Sequence, residues 1–148
     1  MAGWPHHESI DQTKAVLQMF LKEGTCFAIV YKENNKVIGS IVLRDEANPL
    51  PDDMDKRNAN MGCVLSKDYW GQGLMPEAAK ILFDFVFEND LVDNIYAGYF
   101  DHNIQSKRLQ EKLGFNKVGE IDKKTATGKV EHLIVNRISK NEWLKSRE

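Results

Sequence analysis

Apolar positions along this chain fall into two periods, and the alternation between those periods lays out the fold. Ala15, Val16, Met19 and Phe20 recur at helical spacing behind Ser9 and Gln12, which have the form of a capping box. Residues 26–31 and 37–43 read as strands. Glu33-Asn34-Asn35-Lys36 joins them as a tight hairpin, because asparagine tolerates a positive φ. Residues 60–65 form a third strand. Helical spacing returns over 74–87, with Pro76 and Glu77 in the first turn and Ala78, Ile81, Leu82, Phe85 and Val86 as the buried face. Residues 94–100 are a strand, and Asn103 caps a helix carrying Leu109 and Leu113, with Gly114 as its left-handed stop. Residues 117–121 and 130–138 read as an antiparallel pair around Thr127-Gly128. Ser139 and Glu142 make a second capping box, opening a short helix through Trp143 and Leu144. The order α-β-β-β-α-β-α-β-β-α predicts an α/β fold: a mixed sheet with helices packed on it and a β-α-β unit at its centre.

Between the second and third strands, residues 45–58 hold Asp45, Glu46, Asp52, Asp53 and Asp55 among Pro49 and Pro51. The segment reads as an acidic, mobile-looking, solvated connection. A loop this long in a compact domain is also a candidate for touching substrate.

At 148 residues, the chain is expected to form a single domain over 1–148 with a sizeable core. A formal net charge of −2 argues against a general nucleic-acid binder, which would carry a basic excess. No apolar run approaches the roughly 18–20 residues of a membrane span, and residues 1–7 do not have the layout of a signal peptide. Cys26 and Cys63 sit in apolar strand runs, as reduced thiols of a cytoplasmic protein do, and nothing has the spacing of a metal site.

The chemistry concentrates in Tyr69-Trp70-Gly71-Gln72-Gly73-Leu74-Met75-Pro76-Glu77-Ala78. Glycines between a strand and a helix let the backbone approach an anion, and the helix N-terminus presents unpaired N–H groups. A dinucleotide fingerprint would need glycine where Pro76 stands, and a triphosphate loop would need Gly-Lys-Ser/Thr. Both are absent, which leaves a pyrophosphate cradle or a purely structural turn.

Combined with Gly62, Asn103-Ile104-Gln105-Ser106 and Leu109-Gln110-Glu111-Lys112-Leu113-Gly114-Phe115, this stretch resembles the Gcn5-related N-acetyltransferase (GNAT) superfamily. The branch it looks most like includes ribosomal-protein N-terminal acetyltransferases, and Trp4-Pro5-His6 with the helix that follows also fits that branch. The resemblance implies acetyl-coenzyme A as cosubstrate, bound where strands 60–65 and 94–100 splay apart, with no metal. It implies that backbone around Val64 and Leu65 pairs with the pantetheine arm, with one N–H there serving the oxyanion. It places the pyrophosphate on the amides of Gly71, Gln72, Gly73, Leu74 and Met75, and sets Asn103 and Ser106 against the pantetheine and thioester. Ser106 would protonate or stabilise the departing thiolate. The expected reaction is acetyl transfer to a primary amine, either a protein N-terminus or a small molecule, by direct attack in a ternary complex.

The chain departs from the family pattern in two places. The acidic residue often found near the start of the central strand is Asn60 here, leaving Glu46 and the loop aspartates as candidate bases. A strand–helix unit that usually precedes the Trp4 region is lacking, so strand 26–31 is expected to lose a neighbour, and a bare apolar edge invites a homodimer or strand-swapped assembly. Both departures keep open an alternative, a non-catalytic acyl-coenzyme A-binding or regulatory module. A nucleotide-binding module is disfavoured by Pro76. His102, beside the Asn103 cap, reads as a surface residue.

Overall fold

The computed structural model describes residues 6–148. Trp4 and Pro5 lie outside them. Helix α1 (Ile10–Glu23) leads into strands β1 (Cys26–Tyr31), β2 (Lys36–Asp45) and β3 (Asn58–Leu65). Helix α2 (Leu74–Glu88), β4 (Asn94–Phe100), α3 (Ile104–Lys112), β5 (Asn116–Lys124), β6 (Val130–Ser139) and α4 (Lys140–Ser146) complete the chain. The expected order of elements is found, with bounds that differ by a few residues at strand ends.

The six strands form one sheet in the order β1-β2-β3-β4-β6-β5. Every neighbouring pair is antiparallel except β3 with β4. That parallel pair holds at Asn58↔Asn94, Ala59↔Ile95 and Asn60↔Tyr96 and then ends. Beyond Asn60 the two strands part in mid-sheet, and the edge of β3 from Met61 to Leu65 faces an opening.

Helices α2 and α3 cover one face of the sheet. The core there joins Ile41, Leu43, Ala59, Met61, Ile95, Ala97 and Ile138 to Met75, Ala79, Phe83, Leu109 and Leu113. Phe83 meets Phe115 and Trp143 edge to face, at centroid separations of 5.9 and 5.2 Å. Such aromatic pairs contribute roughly 0.5–1.5 kcal/mol each beyond the area they bury. Trp143 also donates from Nε1 to Asp84 Oδ1 at 2.8 Å, which fastens α4 onto α2.

The buried face of α2 differs from the expectation. It is Met75, Ala79, Phe83, Val86 and Phe87, whereas Ile81 and Phe85 are exposed. This helix is apolar on more than one side, so periodicity alone leaves its rotation open, and the sheet decides it. Helix α1 buries no residue fully. It touches the opposite face of the sheet through Phe20, whose ring lies under the Arg44 guanidinium, and through a 3.1 Å ion pair between Arg44 and Glu23. Among the described residues strand β1 is an edge strand paired only with β2, and it exposes Phe27 and Val30.

The caps fall where the pattern put them. Ser139 and Glu142 form a complete capping box. Ser9 accepts from the Gln12 N–H, while the Gln12 side chain returns to the Glu8 N–H rather than to Ser9. Asn35, at φ 56°, takes the left-handed position of the hairpin.

The 45–58 loop is pinned, contrary to its mobile appearance in sequence. Asp53, in a 3₁₀ turn at Pro51–Asp53, has no solvent exposure. Its Oδ2 accepts from the Tyr96 hydroxyl and, at 2.8 Å, from Arg137 Nη1, while Lys56 Nζ sits 3.0 Å from Oδ1. Burial pushes this carboxyl up, but the bonds from Tyr96, Arg137 and Lys56 outweigh it and hold the group at about 2.

Candidate active site

Glycine geometry builds the first wall of the opening. Gly71 and Gly73 take φ of 76° and 75°, a backbone that side chains disfavour, and open space surrounds both. Gly73 caps α2 without any side-chain hydrogen bond to the helix start. The first helical bond runs from the Glu77 N–H to the Gly73 carbonyl at 3.2 Å. The amides of Gly73, Leu74 and Met75 therefore have no partner inside the helix, and Pro76 has no N–H to offer. Unpaired amides at the positive end of a helix dipole fit a phosphate group.

Strand β3 is the second wall. Ser66 N–H bonds to Ile38 O at 2.8 Å and Glu46 N–H to Asn58 O at 3.0 Å. Alternation along an antiparallel ladder then directs the backbone groups of Asn60, Gly62 and Val64 toward β2, and those of Met61, Cys63 and Leu65 toward the opening. Gly39 agrees, since a Cβ there would collide with the Val64 carbonyl oxygen. This corrects one expectation. Val64 lines the cleft with its side chain, but its N–H and C=O are spent on β2. At Leu65 the carbonyl accepts from Trp70 Nε1 at 2.9 Å, leaving the N–H for the cleft.

The third wall is the start of α3. Asn103 caps it by accepting from the Ser106 N–H at 3.2 Å. Gln110 Nε2 lies 3.2 Å from Ser106 Oγ.

These walls enclose a cleft of about 460 Å³. Val64, Leu65, Gly71, Gly73, Leu74, Met75, Asn103 and Ser106 all line it. Gln72 is not among the lining residues; it is exposed on the outside of the turn. Sequence reasoning missed Lys67, Arg108 and Lys112, which also line the cleft. The i, i+4 spacing of Arg108 and Lys112 on a capped helix was the available signal. Burial pushes the Cys63 thiol up to about 11, so at neutral pH it stays protonated and is a poor nucleophile. His102 pairs with Glu131 at 3.3 Å on the surface.

At the apex, where β3 and β4 last pair, Asn60 meets a carboxylate. Asn60 Nδ2 donates to Glu46 Oε2, and Glu46 Oε1 accepts from the Asn48 N–H at 2.8 Å. A carboxylate is thus held beside the start of the central strand, carried by the residue that follows β2. Among the described residues no group of acidic, histidine and cysteine side chains could hold a metal ion, and no helix is long and apolar enough to cross a membrane.

Residues 1–116 match the acetyltransferase (GNAT) domain family. The chain belongs to this family. It is an acyltransferase, and the mixed sheet with its parted parallel strands is the GNAT fold. The uncharacterized N-acetyltransferase p20 of Bacillus licheniformis is 29% identical over 140 residues, covering 90% of this chain and 75% of that protein. The probable N-acetyltransferase YjcK of Bacillus subtilis strain 168 is 36% identical over 63 residues, 43% of this chain and 35% of that protein. In fold, the GNAT chain resembles ribosomal-protein-S5-alanine acetyltransferase from Vibrio fischeri, with a TM-score of 0.71 and 24% identity over 96% of this chain and 81% of that one. A chimera of Vibrio cholerae spermidine N-acetyltransferase SpeG with hSSAT gives a TM-score of 0.72 and 16% identity over 97% and 87% of the two chains. GNAT enzymes use acetyl-coenzyme A and act on amines.

Proposed function

We propose that this enzyme transfers acetyl from acetyl-coenzyme A to a primary amine by direct attack within a ternary complex. The observation that carries the reading is the single cleft uniting the amide cradle at Gly73–Met75, the free edge of β3 and the start of α3. In this reading the amides of Gly73, Leu74 and Met75 take the pyrophosphate. The open edge at Cys63 and Leu65 pairs with the pantetheine as an added strand would. One of those N–H groups donates to the thioester oxygen as it becomes an oxyanion. Asn103 and Ser106 lie against the pantetheine and sulfur.

The neutral amine attacks the thioester carbonyl carbon. Its proton passes to Glu46, directly or through water, the C–S bond breaks with its electron pair on sulfur, and the Ser106 hydroxyl stabilises the thiolate. Neutralising a lysine-type amine at pH 7 costs roughly 4–5 kcal/mol, against about 1–1.4 kcal/mol for an α-amine. The acceptor is a protein N-terminal α-amine or a small-molecule amine. Relatives in fold include enzymes named for each, a ribosomal-protein alanine and spermidine. Glu46 beside Asn60 favours catalysis over a module that only binds acyl-coenzyme A. A homodimer through the open edge of β1, in a cytoplasmic setting, belongs to the same reading; light scattering that finds a monomer at high concentration would remove the dimer.

The test is release of free thiol from acetyl-coenzyme A with a panel of amines and peptides. Cofactor binding without thiol release for any acceptor would instead support the binding module.

A further inference from the structure

Ser106 does not stand alone in the cleft wall. One turn further along α3, Gln110 is buried to 1% exposure. Its Nε2 lies 3.1 Å from the Gly98 carbonyl oxygen and 3.2 Å from Ser106 Oγ. Asn136 Nδ2, from β6, donates to Gln110 Oε1 at 2.8 Å.

Hydrogen-bond roles in this cluster are forced. A carbonyl oxygen can only accept, so the Gln110 atom facing Gly98 must be the nitrogen. The Asn136 contact agrees, placing a donor against Oε1. One Nε2 proton goes to Gly98 and the other is directed at Ser106 Oγ. An oxygen that accepts from behind keeps its own proton for the opposite side. Ser106 lines the cleft, so that side is the cleft.

We propose that Gln110 is a positioning residue that turns the Ser106 hydroxyl into a hydrogen-bond donor aimed at the coenzyme A sulfur. Asn136 and the Gly98 carbonyl lock the amide that does so. The inference rests on the reading of Ser106 as the group that stabilises the thiolate. The amide acts through orientation, since a free hydroxyl rotor spends part of its time pointing elsewhere.

Two substitutions separate orientation from packing. Gln110→Leu deletes both donors. Gln110→Glu keeps the shape, and burial keeps its carboxyl neutral. The single O–H of that acid serves Gly98, so only a lone pair faces Ser106. The hydroxyl must then donate backwards, away from the cleft.

The experiment follows the ultraviolet thiolate absorbance of coenzyme A bound to the full chain as pH is raised. Hydrogen bonding from Ser106 favours the thiolate in the wild type. In Gln110→Glu the titration should move up by about one pH unit, the worth of one hydrogen bond to a charged group, and in Gln110→Leu, which leaves the hydroxyl a free rotor, it should move up by less. Ser106→Ala should move it as far as Gln110→Glu does, and adding Gln110→Glu to Ser106→Ala should move it no further. If Ser106→Ala raises the titration while the Gln110 variants keep the wild-type curve, Gln110 is only a packing residue and the proposal is overturned. A further shift on adding Gln110→Glu to Ser106→Ala would overturn it too. If Ser106→Ala itself changes nothing, the reading of the serine fails and takes the proposal with it. Melting curves establish which variants are folded, and the near-isosteric Gln110→Glu carries the test should the leucine variant unfold.

Discussion

Asn60 donates its side-chain amide to the Glu46 carboxylate at the last rung before β3 and β4 separate. In the proposed reaction this carboxylate, on the residue that follows β2, is the base, and Asn60 is its holder. Glu46→Gln keeps the shape and removes the charge. It should lower kcat/KM for the amine by about a hundredfold, within the range for loss of a general base. Calorimetric affinity for acetyl-coenzyme A should stay the same. The loss should shrink as pH is raised toward the pKa of the acceptor, about 8 for an α-amine and about 10.4 for a lysine-type amine, so the pH profile also reports the acceptor class. Unaltered kcat/KM across that range would remove Glu46 from the reaction.

Gly73 combines a left-handed backbone with a place in the proposed pyrophosphate cradle, and two substitutions separate those roles. Gly73→Glu introduces bulk and negative charge at the pyrophosphate position and should abolish acetyl-coenzyme A binding. Gly73→Asn, a residue that tolerates φ near 75°, should retain most of it. Isothermal titration on both folded variants checks this, and tight binding by Gly73→Glu would remove the cradle assignment.

Lys67, Arg108 and Lys112 give the cleft a cationic rim, and Lys67 is further held 5.9 Å above the Trp70 ring. Coenzyme A carries a 3′-phosphate beyond its pyrophosphate. Replacing Arg108 and Lys112 together by alanine should weaken acetyl-coenzyme A about tenfold, or about 1.4 kcal/mol. A smaller loss is expected for the analogue lacking the 3′-phosphate, and a smaller one again at high salt. Equal losses for both ligands would place the rim elsewhere than on that phosphate.

Asp53 ties the acidic loop to the sheet, and its stabilisation depends on pH. Its carboxyl titrates at about 2 when folded, against an ordinary 3.8. A depressed folded value means that the contribution is present above the ordinary value and is lost as pH falls from about 4 toward about 2. Asp53→Asn should destabilise the protein by roughly 2–3 kcal/mol at neutral pH, because the charge that Tyr96, Arg137 and Lys56 hold is removed. It should also flatten the acid limb of stability. Urea unfolding at several pH values measures both, and an acid limb as steep as that of the wild type would assign the effect to other carboxylates.

Local signals in the chain determined the elements and one wall of the site. Capping residues, glycine stops and the two apolar periods mark helices and strands because each acts over one turn or one hairpin. The glycine turn and helix start at Gly71–Met75 were legible for the same reason: the turn glycines and the helix start they serve are neighbours in sequence. Relations across the sheet were decided only by tertiary structure. Which face of α2 is buried depends on where the sheet lies, because Ile81 and Phe85 are as apolar as Phe83 and Phe87. Whether Val64 or its neighbours offer backbone to the cleft depends on the β2–β3 register, since a shift of one residue exchanges every group between the two edges. Asp53 resembles its solvated neighbours until Tyr96 and Arg137 meet it from distant strands. Glu46 was one acid among several until folding set it against Asn60. Sequence carries what short-range chemistry dictates, whereas the partners of Asp53, Glu46 and Gln110 on other strands are set by contacts between residues far apart in the chain.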